Sequence, residues 1–309
     1  MKYIFGPVFS RRLGISLGVD LVPYKVCSMD CLYCEVGRTS EKTLKRAEYV
    51  PFEAVKSELE DYLSFKPELD YITFSGYGEP TLYSRLGELI GWLKNNYSYS
   101  LALLTNSSLL YDDRVLEEIK TLDVVLPSLD AGCEETFRKL NRPVDGLTLK
   151  KVVEGIKKLM SVTSGEVWLE TVFVKGVNDS EEEIERIGKL VHEISPHRWQ
   201  LNTVVRPPAY NVQGLSYEEL ERIKEKVKYP KTEIVARSKT DRRKLPVKEI
   251  EKEIVALLSR RPCPASEIAD ALNLLQEEVD SIVSKLVREG KIIEINFGGE
   301  PYLKAVSDG

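Results

Sequence analysis

Three of the five cysteines in the 309-residue chain lie close together, with the spacing Cys27-x3-Cys31-x2-Cys34. Thiolates grouped in so short a loop are soft ligands, which favour an iron–sulfur cluster or zinc. Cys133 and Cys263 lie far along the chain, and so do the only two histidines. Because a structural zinc site usually has four protein ligands, a loop with three indicates a metal centre that keeps one position open for chemistry. A cysteine-lined zinc loop, or chance clustering, is the alternative.

Short apolar runs alternate with helical patterns from Val19 to about Thr203, which predicts parallel strands joined by right-handed crossovers. The predicted strands are Ile15–Val22, Tyr71–Phe74, Leu101–Leu104, Val124–Leu129, Val167–Val174 and Trp199–Val205. The predicted helices are Phe52–Leu63, Leu82–Asn95, Asp113–Thr121, Thr148–Ser161 and Glu181–Glu193. Together they indicate an α/β fold, a partial (β/α)6 barrel.

Polar residues follow several of these predicted strands. Gly78 and Glu79 follow the second strand, Asn106 the third, and Ser128 and Asp130 the fourth. In such a barrel the loops at the strand ends carry the chemistry. One cofactor held over the barrel mouth would therefore contact several of these residues, although they are scattered along the chain.

The cysteine spacing, with the aromatic Tyr33 just before the last cysteine, resembles the cluster loop of radical S-adenosylmethionine (SAM) enzymes. The resemblance implies that Cys27, Cys31 and Cys34 bind three irons of a [4Fe–4S] cluster. The fourth iron would then bind the amino and carboxylate groups of SAM. The resemblance also implies the partial barrel and puts Tyr33 beside the adenine.

The same resemblance assigns SAM contacts to residues at the strand ends. Gly78 and Glu79 match the Gly-Glu motif that receives the SAM amino group, since a close backbone approach needs glycine and an ammonium needs acceptors. Ser128 and Asp130 match the position that hydrogen-bonds the ribose hydroxyls. Each pair has an ordinary alternative, a strand-to-helix turn for the first and a helix cap for the second.

Asn106 and Arg138 complete the predicted SAM site. Asn106 either approaches SAM or closes a turn. The Arg138 guanidinium would clamp the SAM carboxylate through two hydrogen bonds, or else lie on a solvated helix face. The predicted cofactor-binding residues are therefore Tyr33, Gly78, Glu79, Asn106, Ser128, Asp130 and Arg138. No catalytic residue is assigned.

The composition describes a folded chain, with 42% apolar and 30% charged residues. No segment approaches the run of about 18 apolar residues that a membrane span needs, and the N-terminus has no signal-peptide pattern. The net charge of −5 gives no global attraction to nucleic acid, so such binding would need a local patch. An odd number of cysteines, three of them in one loop, fits a reducing compartment. We therefore expect a cytoplasmic location and no membrane partner.

The chain is expected to divide into two domains. Residues 1–236 form the predicted catalytic domain, residues 237–246 a basic linker, and residues 247–309 a unit that resembles a winged-helix domain. Its predicted helices and wing strands are Val247–Arg260, Ser266–Leu272, Gln276–Arg288, Lys291–Asn296 and Glu300–Lys304. This unit has eight Lys and Arg against twelve Asp and Glu. Its would-be recognition helix begins with acidic residues, so we expect it to dock a protein or cover the barrel mouth rather than bind DNA.

The predicted function is that of a radical SAM enzyme. An electron passes to the cluster and then to the bound sulfonium, which cleaves SAM into methionine and a 5′-deoxyadenosyl radical, and the radical abstracts a substrate hydrogen. An electron donor such as ferredoxin or flavodoxin is implied.

The substrate stays open at this point. Residues 6–14 and 34–38 resemble more narrowly the radical SAM group related to archaeal wyosine-tRNA synthetases, which suggests a tRNA base. The chain lacks an evident second set of cluster cysteines and is acidic, so a protein or peptide substrate, a small metabolite, or activation of a glycyl-radical enzyme are alternatives. A function of another class is a winged-helix regulator whose cysteine loop senses iron, redox state or zinc.

Overall fold

An eight-stranded sheet forms the centre of the protein in a computed structural model that describes residues 2–10, 12–235, 250–272 and 274–306. In spatial order the strands are β1 (Ile4–Ser10), β2 (Gly14–Val19), β5 (Tyr71–Phe74), β6 (Ser100–Thr105), β7 (Val124–Pro127), β8 (Glu166–Phe173), β9 (Arg198–Thr203) and β10 (Thr232–Ile234). Neighbours from β2 to β10 are parallel, and β1 is antiparallel to β2. Two short parallel strands, β3 (Val26–Cys27) and β4 (Glu41–Lys42), flank the cysteine loop.

Helices lie between the parallel strands along the chain and pack their apolar stripes into the core. They are α1 (Phe52–Leu63), α2 (Leu86–Asn96), α3 (Asp113–Ile119), α4 (Glu134–Asn141), α5 (Leu149–Val162), α6 (Glu181–Ile194) and α7 (Tyr217–Val227). In α1 the residues Phe52, Val55, Leu59 and Leu63 recur three or four positions apart and are all buried, as an amphipathic helix requires. None of the helices in the described ranges is long and apolar enough to cross a membrane.

The predicted α/β fold class is confirmed, and the sheet curves as a partial barrel. Phe5 on β1, Thr73 on β5, Glu170 on β8 and Asn202 on β9 line one cavity. Strands β1 and β9 are six positions apart in the sheet, which would be about 29 Å if the sheet were flat. The sheet must therefore bend around the cavity.

The first strand and the start of α2 differ from the sequence prediction. Strand β1 is absent from the prediction and adds an antiparallel edge to the sheet. The predicted helix Leu82–Asn95 is divided, because Pro80–Leu82 forms a 3₁₀ turn and α2 begins only at Leu86. This turn keeps the end of β5 close to the cysteine loop.

The C-terminal unit, residues 250–272 and 274–306, contains three helices and a hairpin. They are α8 (Ile250–Arg260), α9 (Ala265–Leu272), α10 (Gln276–Arg288), and the antiparallel strands β11 (Ile292–Phe297) and β12 (Glu300–Ala305). The unit has its own core, which includes Ile254, Ile268 and Leu286. The winged-helix assignment and the domain boundaries stay predictions, and the predicted linker, residues 237–246, lies outside the described residues.

The C-terminal unit packs onto β1 and onto the segment that follows β9. Val8 of β1 contacts the C-terminal core. The Tyr302 hydroxyl donates a hydrogen bond to the Val205 carbonyl oxygen at 2.6 Å. Phe297 packs against the apolar cluster that contains Val172 and Val204. The unit therefore lies at the end of the barrel where β8 and β9 finish.

Candidate active site

The cysteine loop, residues 27–34, is held by backbone hydrogen bonds to two distant parts of the chain. The Leu32 amide donates to the Leu140 carbonyl oxygen in α4 at 2.9 Å. The Ala209 amide, in the segment after β9, donates to the Cys34 carbonyl oxygen at 2.9 Å. These main-chain bonds tie the loop to α4 and to the segment after β9, so the barrel helps to set the position of the loop.

Each cysteine sulfur of the loop accepts a hydrogen bond from a different part of the chain. The three bonds are Asn106 Nδ2 to Cys27 Sγ at 3.4 Å, Asn141 Nδ2 to Cys31 Sγ at 3.5 Å, and Lys25 Nζ to Cys34 Sγ at 2.7 Å. Such donors favour the thiolate, which is the form of cysteine that binds metal. The loop is therefore surrounded by groups that suit a metal–thiolate centre.

Burial opposes ionisation of two of these cysteines. It raises the pKa of Cys27 to about 11 and raises the pKa of Cys31 further above its usual value. For Lys25, burial lowers the pKa, but the cysteine sulfurs raise it by more, so the net shift is upward. Metal binding must then displace protons from Cys27 and Cys31, and Lys25 supplies a positive charge beside them.

The three cysteines, each with its own hydrogen-bond donor, suit the separate irons of an iron–sulfur cluster. In the part of the chain that the structure describes, no three His, Cys, Asp or Glu side chains converge closely enough to hold one ion. Three thiolates on one zinc would lie roughly 4 Å apart, because each Zn–S bond is about 2.3 Å. In a cluster the cysteines bind different irons, so their sulfurs stand further apart.

Gly78 packs directly against the chain that enters the cysteine loop. A Cβ atom at Gly78 would lie 1.7 Å from the Val26 carbonyl oxygen. The Glu79 amide donates a hydrogen bond to the same oxygen at 3.2 Å. The close backbone approach expected at Gly78 is thus made to the residue before Cys27, and only glycine allows it.

The Glu79 carboxylate is buried, and burial raises its pKa. Its Oε1 accepts hydrogen bonds from the Thr81 amide and hydroxyl, at 3.1 and 2.6 Å, and from the Thr105 hydroxyl at 2.7 Å. Its Oε2 accepts from the Asn106 amide at 2.7 Å. These bonds fix the turn after β6, and so they position the Asn106 side chain against Cys27.

Asp130 joins Tyr33 to the barrel. Its Oδ2 accepts hydrogen bonds from the Tyr33 hydroxyl at 2.5 Å and from Asn141 Nδ2 at 2.7 Å. Its Oδ1 accepts from the Val172 amide at 2.9 Å. Burial raises the pKa of Asp130 to about 6. The ring of Tyr33, the predicted partner of adenine, is therefore anchored through its hydroxyl.

The remaining predicted residues divide into two groups. Asn106, Ser128 and Asp130 line a cavity of about 10 Å³ beside Met29 of the cysteine loop. Arg138 is half exposed on α4 and pairs with Glu134 at 2.8 Å. The structure thus brings together around the cysteine loop the residues Tyr33, Gly78, Glu79, Asn106, Ser128 and Asp130. It places Arg138 on an exposed helix face, which is the alternative position given for it, and its contact with the SAM carboxylate stays a prediction.

A larger cavity of about 320 Å³ lies next to Tyr33 and Cys34. Arg12 forms an ion pair with Glu170 inside it, and Asn202 Nδ2 donates to Glu170 Oε1 at 2.9 Å. Small-molecule sites typically measure about 300–1,000 Å³, so this cavity is at the lower end of that range. It has room for a small ligand with polar groups.

The C-terminal unit closes one side of this cavity with Leu257, Arg261 and Glu267. Arg206, which follows β9 and is 4% exposed, pairs with Glu35 at 2.8 Å and also with Glu267. Burial raises the pKa of Glu267, but Arg206 and Arg261 lower it by more, so the net shift is downward. The buried Arg206 guanidinium therefore links Glu35, the residue after Cys34, to the C-terminal unit.

Comparison with known families decides the class of this site. A sequence model of the Radical SAM superfamily matches residues 21–187, which include the whole cysteine loop. The chain belongs to the radical SAM superfamily. Enzymes of this superfamily use a [4Fe–4S] cluster and SAM, and the three cysteines with their hydrogen-bond donors fit the cluster.

Related chains and a related fold span most of this protein. The UPF0026 protein MJ1312 of Methanocaldococcus jannaschii is 32% identical over 322 residues, covering 98% of this chain and 95% of that protein. The protein named GTPase Obg of Brachyspira hyodysenteriae is 38% identical over 95% of this chain, but this chain spans only 44% of its length. A radical SAM methyltransferase structure from Sphaerobacter thermophilus has a TM-score of 0.53 at 19% identity, covering 71% of this chain and 66% of that chain. That structure shares the fold.

Lys25 and Glu267 are among the residues of this radical SAM site that the sequence prediction does not single out. Lys25 lies two residues before Cys27, and this position is the one signal that could have singled it out. Glu267 lies 61 residues from Arg206 along the chain, so no local pattern marks the pair. Only the folded chain brings Glu267 to the cavity.

Proposed function

We propose that this radical SAM enzyme abstracts a hydrogen atom from an organic substrate held in the 320 Å³ cavity. The cluster and SAM, when bound, supply a 5′-deoxyadenosyl radical by reductive cleavage. The observation that carries the proposal is that Tyr33 and Cys34 belong to the cysteine loop and also line the cavity. A group bound at the loop therefore faces the space in which a substrate would lie.

The residues around the loop have distinct roles in this proposal. Cys27, Cys31 and Cys34 bind the cluster. Tyr33 orients the adenine, because Asp130 fixes its hydroxyl. Gly78, Glu79, Asn106 and Ser128 shape the SAM site, the first three by packing or hydrogen bonding next to Cys27.

The cavity supports a small reacting group. Arg261 and Glu267 of the C-terminal unit close one side of it, and its volume is about 320 Å³. We propose that the group from which hydrogen is taken is a single base, a single side chain or a small metabolite. Arg12, Glu170 and Asn202 would bind its polar atoms.

The first candidate substrate is a base in transfer RNA. The resemblance of residues 6–14 and 34–38 to the group of the archaeal wyosine-tRNA synthetases supports it. A peptide, including the glycine loop of a glycyl-radical enzyme, is the second candidate, because a net charge of −5 repels phosphates. Release of 5′-deoxyadenosine that is stimulated by bulk tRNA, and abolished by ribonuclease, would separate the two.

The C-terminal unit acts as a cover over the cavity in this proposal. Tyr302 and Phe297 attach it to the end of the barrel, and Glu267 attaches it to Arg206. Its acidic residues Glu277 and Glu278 at the start of α10 disfavour contact with DNA phosphates. A cytoplasmic location is part of the same proposal.

We propose that the electron donor, a ferredoxin or flavodoxin, docks beside the cysteine loop. Arg38 and Arg142 lie over the Tyr210 ring, 4.6 and 4.4 Å from its centroid, and the Tyr210 hydroxyl donates to Asp30 of the loop at 2.6 Å. Exposed Lys42 adds a third cation. An acidic donor would be attracted here, so Arg38→Glu should slow reduction by the protein donor at low salt but not by dithionite.

The central test is release of 5′-deoxyadenosine from SAM by the anaerobically reconstituted protein with dithionite. We expect release by the wild type and none by Cys31→Ala. Cys133→Ala is the matched control, since Cys133 contacts Thr136 outside the loop and should keep full release. A colourless, iron-free protein after reconstitution, or release that Cys31→Ala retains, would contradict the proposal.

A further inference from the structure

Lys25 is a buried cation next to the cysteine loop that the proposed reaction does not use. The residue is 3% exposed. Its ammonium donates to Cys34 Sγ at 2.7 Å and to the Gly37 carbonyl oxygen at 2.9 Å. An ammonium is rarely buried unless an anion or several acceptors compensate for the lost water.

The Cys34 sulfur is the partner of Lys25 that can carry a negative charge. Its Sγ lies 2.7 Å from the ammonium, and the other acceptor, the Gly37 carbonyl oxygen, is neutral. A protonated thiol would offer only a weak acceptor, whereas a metal-bound thiolate offers a negative charge. The buried position of Lys25 is therefore best satisfied when the cysteines carry a metal centre.

The main chain of Lys25 is fixed independently of its side chain. Its amide donates to Ser40 Oγ at 2.9 Å, and its carbonyl oxygen accepts from the Ser40 and Glu41 amides at 3.1 and 3.2 Å. A substitution at this position can thus remove the ammonium while the loop entrance keeps its backbone bonds. Lys25 is suited to tuning the centre electrostatically rather than to building the loop.

We propose that Lys25 raises the reduction potential of the [4Fe–4S] cluster by donating a charged hydrogen bond to the Cys34 thiolate. One-electron reduction by a low-potential donor adds a negative charge to the cluster, with no bond made or broken. A fixed positive charge and a hydrogen bond to a ligand sulfur both stabilise the reduced form. Lys25 acts through Cys34 and is a positioning residue. The inference rests on the cluster of the proposed function, and not on the identity of the substrate.

The test is a redox titration of the reconstituted protein, in which the reduced cluster is measured by electron paramagnetic resonance. Lys25→Met keeps the length and removes the charge, so we expect full iron and sulfide content with at least a tenfold lower equilibrium constant for reduction, about 59 mV for one electron. Lys25→Arg keeps a cationic donor and should recover most of this shift. Lys151→Met is the matched control and should keep the wild-type potential, because the Lys151 ammonium bonds the Gly146 carbonyl oxygen instead of a cysteine sulfur.

The outcomes separate this inference from the proposed function. A wild-type protein without a cluster would overturn the proposed function itself. A potential in Lys25→Met equal to that of the wild type would overturn only the role of Lys25. Equal loss of iron from Lys25→Met and Lys25→Arg would also overturn it, since the residue would then be needed for loop structure rather than for charge.

Discussion

Replacing Glu267 by glutamine would weaken the attachment of the C-terminal unit to the barrel. Arg206 is 4% exposed and lies between Glu267, which is 23% exposed, and Glu35, which is 29% exposed. Glutamine keeps the size of the side chain but removes the negative charge. The buried guanidinium would then keep one carboxylate partner instead of two.

The free-energy cost of Glu267→Gln can be estimated from the burial of the ion pairs. Removal of one partner from a fully buried ion pair costs about 3–5 kcal/mol. Because Arg206 keeps Glu35 and glutamine can still accept a hydrogen bond, we expect a smaller cost, about 2 kcal/mol, which is roughly a 30-fold increase in the open population.

Native-state hydrogen exchange would measure this opening at the amides of α9 and β1, which pack together. Glu251→Gln is the matched control. Its partner is Lys285 on the same unit, at 2.7 Å, and both side chains are more than 40% exposed. The control should leave exchange at α9 and β1 unchanged. Equal protection in the wild type and in Glu267→Gln would refute the reasoning that Arg206 holds the cover in place.

Three further outcomes are expected. Gly78→Ala should sharply reduce the iron content, because its Cβ would lie 1.7 Å from the Val26 carbonyl oxygen and displace the entrance to the cysteine loop. Glu79→Gln should lower the free energy of unfolding by about 1–3 kcal/mol, measured in urea, because the new side-chain N–H would face the Asn106 main-chain N–H, which donates to the carboxylate in the wild type. The pKa of Glu267 is below its usual value of 4.5, so its stabilisation is complete above pH 4.5 and is lost as the pH falls through the lower folded value. The difference in exchange between the wild type and Glu267→Gln should accordingly shrink below pH 4.5.

Each of these three predictions can be contradicted by a specific result, and the first also has a control variant. Gly91→Ala is the control for Gly78, since a Cβ at Gly91 meets no atom within 4 Å. Normal iron in Gly78→Ala would mean that the loop tolerates the displacement. An unchanged urea midpoint in Glu79→Gln would mean that the Thr105 and Asn106 turn does not depend on the carboxylate. A difference in exchange between the wild type and Glu267→Gln that is constant from pH 6 to pH 3.5 would exclude Glu267 as an ionised partner of Arg206.

The parallel strands and most helices were predictable because their signals are local. Tyr71–Phe74 and Val124–Pro127 are short apolar runs between helical patterns, and the buried positions of α1 follow the helical period. Strand β1 escaped prediction because Gly6 and Pro7 interrupt its pattern, and its pairing with β2 is irregular between Phe5 and Val8. Proline in a strand argues against the assignment unless the strand lies at an edge, as β1 does.

The cysteine loop was predictable because its three ligands are nearly contiguous. The direction in which a long side chain points cannot be predicted from the sequence. For this reason Arg138 was predicted as a site residue and Lys25 was not. Arg138 turns to Glu134 on its own helix, and Lys25 turns inward to Cys34. The Arg206 and Glu267 pair depends on how the C-terminal unit packs, which sequence periodicity does not specify.

The three sulfur-bonding donors also bear on how the enzyme acquires iron. Lys25, Asn106 and Asn141 come from the start of the loop, the turn after β6 and the last residue of α4. These donors come together only in the folded barrel. An unfolded chain therefore has the three cysteine thiols without the hydrogen-bond donors that surround them in the folded site. Insertion of the cluster should then follow folding of the barrel. A substitution that destabilises α4 should therefore lower the iron content of the protein before it changes the fold.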